Sequence, residues 1–248
     1  MEGPRLMKPP AVVLTAPGTN RQNDAAFALE QAGAVPACVD LLDLPKRRAE
    51  VEQAKLIVIA GGFSYGDALG SGRVFALETE RRLGDLLARK ISQGTPVLGV
   101  CNGFQMLVRT GLLPGTLQHN ERGHFECRWV VLQPSSARCV WTRGLAEPVR
   151  CPVAHGEGRY TCAPEVLDEL RTEDRIAFRY ESDTYPANPN GSVDAIAGVC
   201  DFSGLVLGMM PHPENHVTGR QGRSIVPAPG IGSALPLFRN GVAAVCSS

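Results

Sequence analysis

The amino-acid sequence predicts an α/β protein with an open, mostly parallel sheet, helices on both faces and an antiparallel extension of the sheet. Two observations lead to this prediction. In the first half of the chain, short apolar runs alternate with helix-compatible stretches, which is typical of right-handed βαβ units. In the middle, short strand-like pieces are separated by Pro, Gly and Asn turns, which favours antiparallel pairing. The chain has 248 residues, and we expect it to form a single domain over 1–248.

The first half is predicted to contain four strands and three helices. The predicted strands are AVVLTAPG (11–18), AVPACVDLLDL (34–44), KLIVIAGG (55–62) and TPVLGV (95–100). The predicted helices cover residues 22–33, Phe75 to Gln93, and Gly103 to Thr110. We expect Asn20 or Asn23 to cap the first helix and Gly33 to end it.

The second half is predicted to add further strands and to end in a helix. Strand-like segments lie at 127–136, 148–160, 175–182 and 193–201, followed by the apolar strand LVLGMM (205–210). The segment 215–233 is rich in Gly, Pro and Arg, so we expect a surface loop insertion there. A last helix is predicted over 235–245.

Composition excludes several classes of function. The formal net charge is +0, so no basic field would attract nucleic acid. No apolar run approaches the roughly 20 residues that a membrane-spanning helix needs. The eight cysteines include no CxxC pair, so we predict no metal site. The start of the chain lacks a continuous apolar signal region, so we expect a cytoplasmic protein with reduced thiols.

The stretch GVCNGFQ places Cys101 between two glycines at a predicted strand-to-helix turn. Such an elbow holds its central side chain exposed above the sheet, and Gly99 and Gly103 relieve crowding around it. The sulfur would lie near the N-terminus of the next helix, whose dipole favours the nucleophilic thiolate. A small buried core residue is the alternative, but the elbow favours a nucleophile.

A cysteine nucleophile needs a base, most often a histidine oriented by a third group. His212 follows a predicted strand in PHPE, and Glu214 lies two residues further on. In an extended segment such residues point the same way, and the flanking prolines favour extended geometry. The carboxyl ends of strands gather the chemistry of open α/β sheets, so Cys101 and His212 can meet there. A loop histidine without a role is the alternative.

The stretch GGFSYGD (61–67) also follows a predicted strand. Its glycines let the backbone approach a ligand closely, and the N–H groups of Gly62 and Phe63 would complete an oxyanion hole with that of Asn102. A tight turn without function is the alternative. The stretch is not a Walker loop, and no dinucleotide fingerprint follows a strand, so no cofactor is expected in this chain.

Together these motifs resemble the class I glutamine amidotransferases, whose fold is flavodoxin-like. GVCNGFQ and PHPE match the catalytic triad of that class. The wider set resembles the glutaminase subunits of phosphoribosylformylglycinamidine synthase, and the match runs from about residue 11 to 214. The matching stretches are APGTNRQND, GGFSYGDALGSG, GVCNGFQMLVRTGLLPG, FECRWV, AHGEGRY, AFRY, NPNGS, IAGVCD and LGMMPHPE.

The resemblance implies that Cys101 attacks the side-chain amide of glutamine and forms a thioester that water hydrolyses to glutamate. His212 would shuttle protons, Glu214 would orient it, and Gln105 would help to hold glutamine. The ammonia would pass to a synthetase subunit that uses ATP and Mg²⁺ to make formylglycinamidine ribonucleotide in purine biosynthesis. A small third subunit is possible in the complex. His155 and Glu157 would lie near the active site or face the synthetase.

The sequence departs from the family pattern at two places, and two other functions stay open. The 215–233 segment is longer than the family leads us to expect, and ALGSGRVFA (68–76) differs from the bulkier, arginine-bearing sequence expected for the family there. A cysteine peptidase would use a similar elbow without a partner. A degenerate subunit that only scaffolds a synthetase would have lost triad residues, whereas Cys101, His212 and Glu214 are all present.

Overall fold

The protein is described by a computed structural model of residues 8–222, 230 and 232–246. Eleven strands lie in these residues: β1 Pro10–Thr15, β2 Val35–Asp40, β3 Leu56–Ile59, β4 Val97–Val100, β5 Thr116–Gln118, β6 Glu126–Pro134, β7 Val149–His155, β8 Arg159–Thr161, β9 Ile176–Tyr180, β10 Ile196–Cys200 and β11 Val206–Met209. Seven α-helices accompany them: α1 Gln22–Ala32, α2 Leu44–Gln53, α3 Arg73–Leu83, α4 Leu86–Ser92, α5 Asn102–Arg109, α6 Pro164–Thr172 and α7 Leu235–Cys246.

Nine of the strands form one sheet in the order β2-β1-β3-β4-β11-β10-β9-β6-β7. The first five strands in this order are mutually parallel, and the remaining four join by antiparallel pairing. β5 and β8 form a separate antiparallel pair. The α/β class, the parallel sheet and its antiparallel extension are therefore as the sequence predicts.

The burial of the strands explains their sequence patterns. β3, β4 and β11 are buried at every residue, because helices cover both faces of a parallel sheet. Such strands are continuously apolar, as in LIVI of β3. β6 mixes buried with exposed and half-buried residues, as expected for an antiparallel strand with one face toward solvent.

The helices lie on both faces of the parallel half. α1 packs against α7, and α3 packs against α5. The crossover from β1 to β2 runs in the opposite direction along the sheet from the crossover between β3 and β4. Because both crossovers are right-handed, α1 and α3 lie on opposite faces.

Two local predictions are wrong, and three elements were not predicted. The predicted helix from Phe75 to Gln93 is two helices, α3 and α4, because Gly84 between them has a φ of 54°. Arg21, rather than Asn20 or Asn23, occupies the N-cap of α1 without a side-chain cap, although Gly33 does end the helix in a left-handed conformation. Helices α2 and α6 and strand β5 were not predicted from the sequence.

The predicted loop insertion 215–233 is described only in part, because residues 223–229 and 231 lie outside the described residues. In the described part, Pro213–His216 and Gly219–Gln221 form two short 3-10 turns, and Val217 is fully buried. This part of the segment is therefore packed against the domain. Among the described residues, no helix is both long and apolar enough to cross a bilayer.

Candidate active site

Cys101 occupies the sharp turn between β4 and α5. Its φ of 50° and ψ of −104° are strained for a residue with a side chain, and such strain concentrates at functional sites. The glycines on either side are required by close packing. A Cβ at Gly99 would lie 2.8 Å from the carbonyl oxygen of Gly103, and a Cβ at Gly103 would lie 2.2 Å from that of Ile59. The elbow predicted from the sequence is thus present.

Cys101 lies at the N-terminus of α5 and is only 5% exposed. The prediction that the elbow holds this side chain exposed above the sheet is therefore wrong. The N–H of Asn102, at the first position of α5, has no carbonyl of a preceding helical turn to bond. The Sγ of Cys101 is 3.9 Å from the carbonyl oxygen of Ala154 in β7. The outermost strand of the antiparallel extension therefore contacts Cys101, and the sequence did not predict this contact.

His212 reaches the elbow because β4 and β11 are neighbours. Val100 pairs with Met209 in their parallel register, so the residues that follow both strands leave the same edge of the sheet. A Cβ at Gly61 would lie 2.8 Å from Cε1 of His212 and 3.3 Å from Cβ of Cys101. The absence of a side chain at Gly61 lets these two groups approach each other.

Glu214 orients His212 through a hydrogen bond of 2.7 Å between His212 Nδ1 and Glu214 Oε1. Both side chains are buried. The predicted contact is present, but the predicted extended geometry is wrong. Glu214 lies in the 3-10 turn Pro213–His216, which folds its carboxylate back toward the ring. The N–H of His212 donates to the carbonyl of Pro152 in β7 and fixes the start of this turn.

The charges around the two buried histidines shift their pKa values in opposite directions. Burial opposes a charge on His212, but the Glu214 carboxylate and the Cys101 thiol outweigh burial and raise the pKa of His212 to about 10. Burial, assisted by His212, lowers the pKa of His155 to about 3. His212 is therefore suited to hold a proton beside the sulfur, and His155 is neutral.

The three candidate oxyanion donors differ in availability. Gly62 has a φ of 137°, and its segment pairs with Thr19 in an isolated antiparallel bridge. Within this bridge the N–H of Phe63 donates to the carbonyl of Gly18 at 3.3 Å. The bridge therefore favours Gly62 over Phe63 as the partner of Asn102 in an oxyanion hole.

Gln105 lies one helical turn beyond the nucleophile and is 4% exposed. Its Nε2 donates to the carbonyl oxygen of Glu157 at 2.6 Å, and its Oε1 accepts from Nδ2 of Asn102 at 2.9 Å. Its amide is thus engaged within the protein. The bond to Glu157 ties α5 to the turn between β7 and β8.

His155 and Glu157 line one of the cavities that Cys101 borders, and neither forms a hydrogen bond with Cys101 or His212 among the described residues. His155 Nδ1 lies 3.1 Å from Oδ1 of Asn120, and the same oxygen accepts from the N–H of Gly158. Because this oxygen is an acceptor, Nδ1 of His155 carries the ring proton and Nε2 keeps its lone pair. His155 is therefore held by the turn and is not oriented toward the role of base.

Cys101 borders two small cavities, of about 20 Å³ and about 30 Å³. The first extends toward Asp67, Ser71, Gln105, His155 and Glu157, and the second toward Asn20, Arg21 and His212. A larger cavity of about 450 Å³ lies beside α3 and α5. Of the residues that line it, only Gln105 also lines one of the two small cavities at Cys101. Asp67 and Ser71 were missed as site residues, although both lie within the GGFSYGDALGSG stretch that carries the resemblance.

No group of three His, Cys, Asp or Glu side chains in the described part of the chain could hold a metal ion. All eight cysteines are free thiols.

Comparisons with known proteins agree with this geometry. The sequence model of the family described as the CobB/CobQ-like glutamine amidotransferase domain matches residues 8–245. The phosphoribosylformylglycinamidine synthase subunit PurQ of Treponema denticola is 43% identical over 245 residues, covering 87% of this chain and 91% of the relative. The protein of the same name from Dehalococcoides mccartyi is 38% identical over 254 residues, covering 96% and 98%.

Solved structures show the same fold. A chain in the structure of PurLQS from Thermotoga maritima is 36% identical with a TM-score of 0.77, covering 96% of this chain and 98% of that one. A glutamine amidotransferase of Thermotoga maritima, 17% identical with a TM-score of 0.51 over 86% and 79% of the two chains, shares the fold. The resemblance found in the sequence is confirmed, and the chain belongs to the CobB/CobQ-like glutamine amidotransferase family.

Proposed function

We propose that this chain is the glutaminase subunit of a phosphoribosylformylglycinamidine synthase. The observation that carries the proposal is the strained Cys101 elbow beside the buried His212–Glu214 pair, with its 2.7 Å hydrogen bond, in a glutamine amidotransferase. This geometry suits attack on an amide carbonyl by a thiolate. The family membership selects glutamine over a peptide substrate, and the intact triad disfavours a scaffold without activity.

In the first half of the reaction, the Cys101 thiolate adds to the side-chain carbonyl carbon of glutamine. The carbonyl oxygen gains the negative charge and is held by the N–H groups of Asn102 and Gly62. His212, protonated through the support of Glu214, gives its proton to the leaving nitrogen. The carbon–nitrogen bond breaks, ammonia departs, and a glutamyl thioester remains on Cys101.

In the second half, neutral His212 takes a proton from a water molecule that attacks the thioester carbon. The oxyanion hole holds the second tetrahedral intermediate. The carbon–sulfur bond breaks, glutamate leaves, and the sulfur returns to its starting state beside protonated His212. Glu214 keeps the ring in one orientation through both halves, because its carboxylate accepts from Nδ1 throughout.

The ammonia is proposed to serve a partner subunit. The relatives are named as subunits of phosphoribosylformylglycinamidine synthase, and the Thermotoga protein is described within PurLQS. By analogy, this chain docks on a synthetase subunit that uses ATP and Mg²⁺ and converts formylglycinamide ribonucleotide to the amidine. A small third subunit completes the complex. The eight free thiols fit the reducing cytoplasm as the compartment.

The size of the cleft supports activity that depends on docking. The cavity of about 20 Å³ between Cys101 and Glu157 accommodates a molecule the size of water, not glutamine. The hydrogen bond from Gln105 to the Glu157 carbonyl oxygen holds the walls of this cavity together. Glutamine enters only after the turn that contains Glu157 moves away from α5, and docking of the synthetase would drive that movement.

The proposal is tested by measuring glutamate production from glutamine. The chain is assayed alone and then with the synthetase subunit, ATP, Mg²⁺ and formylglycinamide ribonucleotide. We expect activity that rises sharply in the complex and disappears in Cys101→Ala. Glutamate production that persists in Cys101→Ala, or its absence from a fully assembled wild-type complex, would refute the proposal.

A further inference from the structure

We propose that the carboxylate of Asp67 recognises the α-ammonium group of the substrate glutamine and so sets the enzyme's preference for a free amino acid. The inference rests on the proposed glutaminase function and deepens it. Asp67 is a binding residue in this proposal, in a cleft where Cys101 supplies the chemistry.

The position of Asp67 is the first argument. It borders the same cavity of about 20 Å³ as Cys101. Three non-glycine residues around it hold left-handed backbone, with φ of 55° at Tyr65, 52° at Asp67 and 64° at Leu69. Non-glycine residues in this region carry strain that clusters at ligand sites. The chain accepts this strain over a segment that brings a carboxylate beside the nucleophile.

The charge of Asp67 is the second argument. Its Oδ1 accepts from Nδ2 of Asn102 at 3.0 Å. Burial raises the pKa of Asp67, and the nearby Ser71 hydroxyl, the Asn102 amide and the N–H of Gly72 oppose this shift by stabilising the charged carboxylate. All of these donors are neutral, and Asp67 forms no ion pair within the described residues. The nearby charge of Glu157 repels it. A partly buried carboxylate that lacks a cation favours a ligand that supplies one.

The unpaired polar atoms around Asp67 are the third argument. Oδ1 of Asn102 and Nε2 of His155 have no hydrogen-bond partner among the described residues. Asn102 is 1% exposed and His155 is 3% exposed, so water does not readily satisfy either. Both atoms are acceptors. Nδ2 of Asn102 donates to Asp67 and Gln105, which leaves Oδ1 as the free end of that amide. Nε2 of His155 keeps its lone pair, because the ring proton is on Nδ1. His155 lines the same cavity as Asp67, whereas Asn102 does not. An ammonium group offers only donors, so Nε2 of His155 and the Asp67 carboxylate are the acceptors that it would complement there.

The shape of glutamine agrees with this placement. Two methylene groups and the α-carbon separate its ammonium group from the amide carbon that Cys101 attacks. Asp67 contacts Asn102, the residue that directly follows the nucleophile. A glutamine whose amide carbon lies at the sulfur can therefore direct its other end toward Asp67. Amides without this ammonium group would leave the carboxylate unpaired and would bind poorly.

The test compares L-glutamine with glutaramate, which has the same amide and carboxylate but no amino group. Both are assayed with the assembled complex carrying wild-type chain, Asp67→Asn or Asp67→Glu. Asn keeps an acceptor for Asn102 and removes the charge. We expect Asp67→Asn to raise KM for glutamine about 10- to 100-fold with a small change in kcat, as for the loss of a charged hydrogen bond. The kcat/KM for glutaramate should change little, and Asp67→Glu should restore part of the preference for glutamine.

Several outcomes would overturn the inference. A purely structural role for Asp67 would lower kcat/KM for both substrates by the same factor. An unchanged KM for glutamine in Asp67→Asn would also overturn it. So would a KM for glutamine that rises in Glu157→Gln but not in Asp67→Asn. A wild-type complex that makes no glutamate in a Cys101-dependent manner would instead overturn the proposed function, and the inference with it. Melting temperatures of the variants identify any loss of folding.

Discussion

Nδ1 of His212 lies 2.7 Å from Oε1 of Glu214, and neither residue is more than 3% exposed. A short charge-assisted contact in a buried position fixes both the orientation and the protonation of the ring. The second oxygen of Glu214 has no partner among the described residues, so the carboxylate depends on this one side-chain contact. His212 can exchange protons with the substrate only through Nε2, since Nδ1 is occupied.

Replacing Glu214 with Gln should lower the pKa of His212, because the neutral amide no longer supports the charged ring. The expected loss in kcat is about 100-fold or more, the usual contribution of a positioned acid–base group. NMR titration of His212 would report the pKa, which is about 10 in the wild type. Glu214→Asp keeps the charge and serves as the comparison. Equal His212 pKa values in the wild type and Glu214→Gln would contradict the prediction.

Stability should fall on both sides of pH 6.5 because of the two buried histidines. The pKa of His212 rises on folding from 6.5 to about 10. Its stabilising contribution is therefore complete below pH 6.5 and is lost as pH rises toward 10. The pKa of His155 falls on folding from 6.5 to about 3, so the unfolded chain binds more protons below pH 6.5. Stability is therefore also lost as pH falls from 6.5 toward 3.

Urea unfolding across this range would test the two slopes separately. His212→Gln should flatten the alkaline side of the profile and leave the acid side steep. His155→Gln should flatten the acid side and leave the alkaline side unchanged. A profile in which both variants alter the same side would show that the assignment of the slopes is incorrect.

Two glycine substitutions should separate loss of activity from loss of folding. Gly61→Ala places a methyl group 2.8 Å from Cε1 of His212, and the ring must move away from Cys101. We expect kcat to fall about 100-fold while the melting temperature changes little, because displacement of about 1 Å misaligns the reacting groups. Gly103→Ala places a methyl group 2.2 Å from the backbone oxygen of Ile59. That rigid contact should destabilise the fold by about 1–3 kcal/mol.

The activity and the melting temperature of both variants test these two expectations. Wild-type activity in Gly61→Ala would mean that catalysis does not need the observed position of His212 beside Cys101. A melting temperature for Gly103→Ala equal to that of the wild type would mean that α5 can move away from β3 without loss.

Alkylation should report the opening of the cleft. In the isolated chain, iodoacetamide should modify the exposed Cys127 and Cys246 before Cys101, which is 5% exposed. Docking of the synthetase should increase the rate of alkylation at Cys101. The increase should be about tenfold for each 1.4 kcal/mol by which docking stabilises the open form of the cleft over the closed form. Mass spectrometry measures all three sites in one sample, with Cys127 and Cys246 as internal references. A rate at Cys101 that is unaffected by docking would argue against gating.

The parallel half of the fold was predictable because most of its strands are short apolar runs, as in LIVI of β3 and VLGV of β4. Helix α2 was missed because its sequence, LPKRRAEVEQ, is strongly polar and carries a weak apolar face. The break between α3 and α4 depends on the left-handed conformation of one glycine, which propensity alone does not reveal. The order of the antiparallel strands depends on long-range pairing, about which local patterns carry no information.

The candidate catalytic residues were predictable from local motifs, whereas their surroundings were not. Cys101 has an elbow sequence, and His212 and Glu214 follow a strand end. The contact between Glu214 and His212 was expected for an incorrect reason, because the turn is a 3-10 turn and not an extended segment. Ala154 lies beside the thiol although four other strands separate β7 from β4 in the sheet, and the sequence offered no signal for so distant a contact.

The central position of β11 has a consequence for how the enzyme is made. Val206–Met209 is the last strand of the sheet to leave the ribosome, yet it joins the parallel half to the antiparallel half. A nascent chain carries Cys101 without His212, the proposed base, while residues 102–211 are made. On the proposed mechanism, unfinished chains that lack His212 cannot degrade glutamine. Reactivity arises only when the closing strand enters the middle of the sheet and the domain is complete.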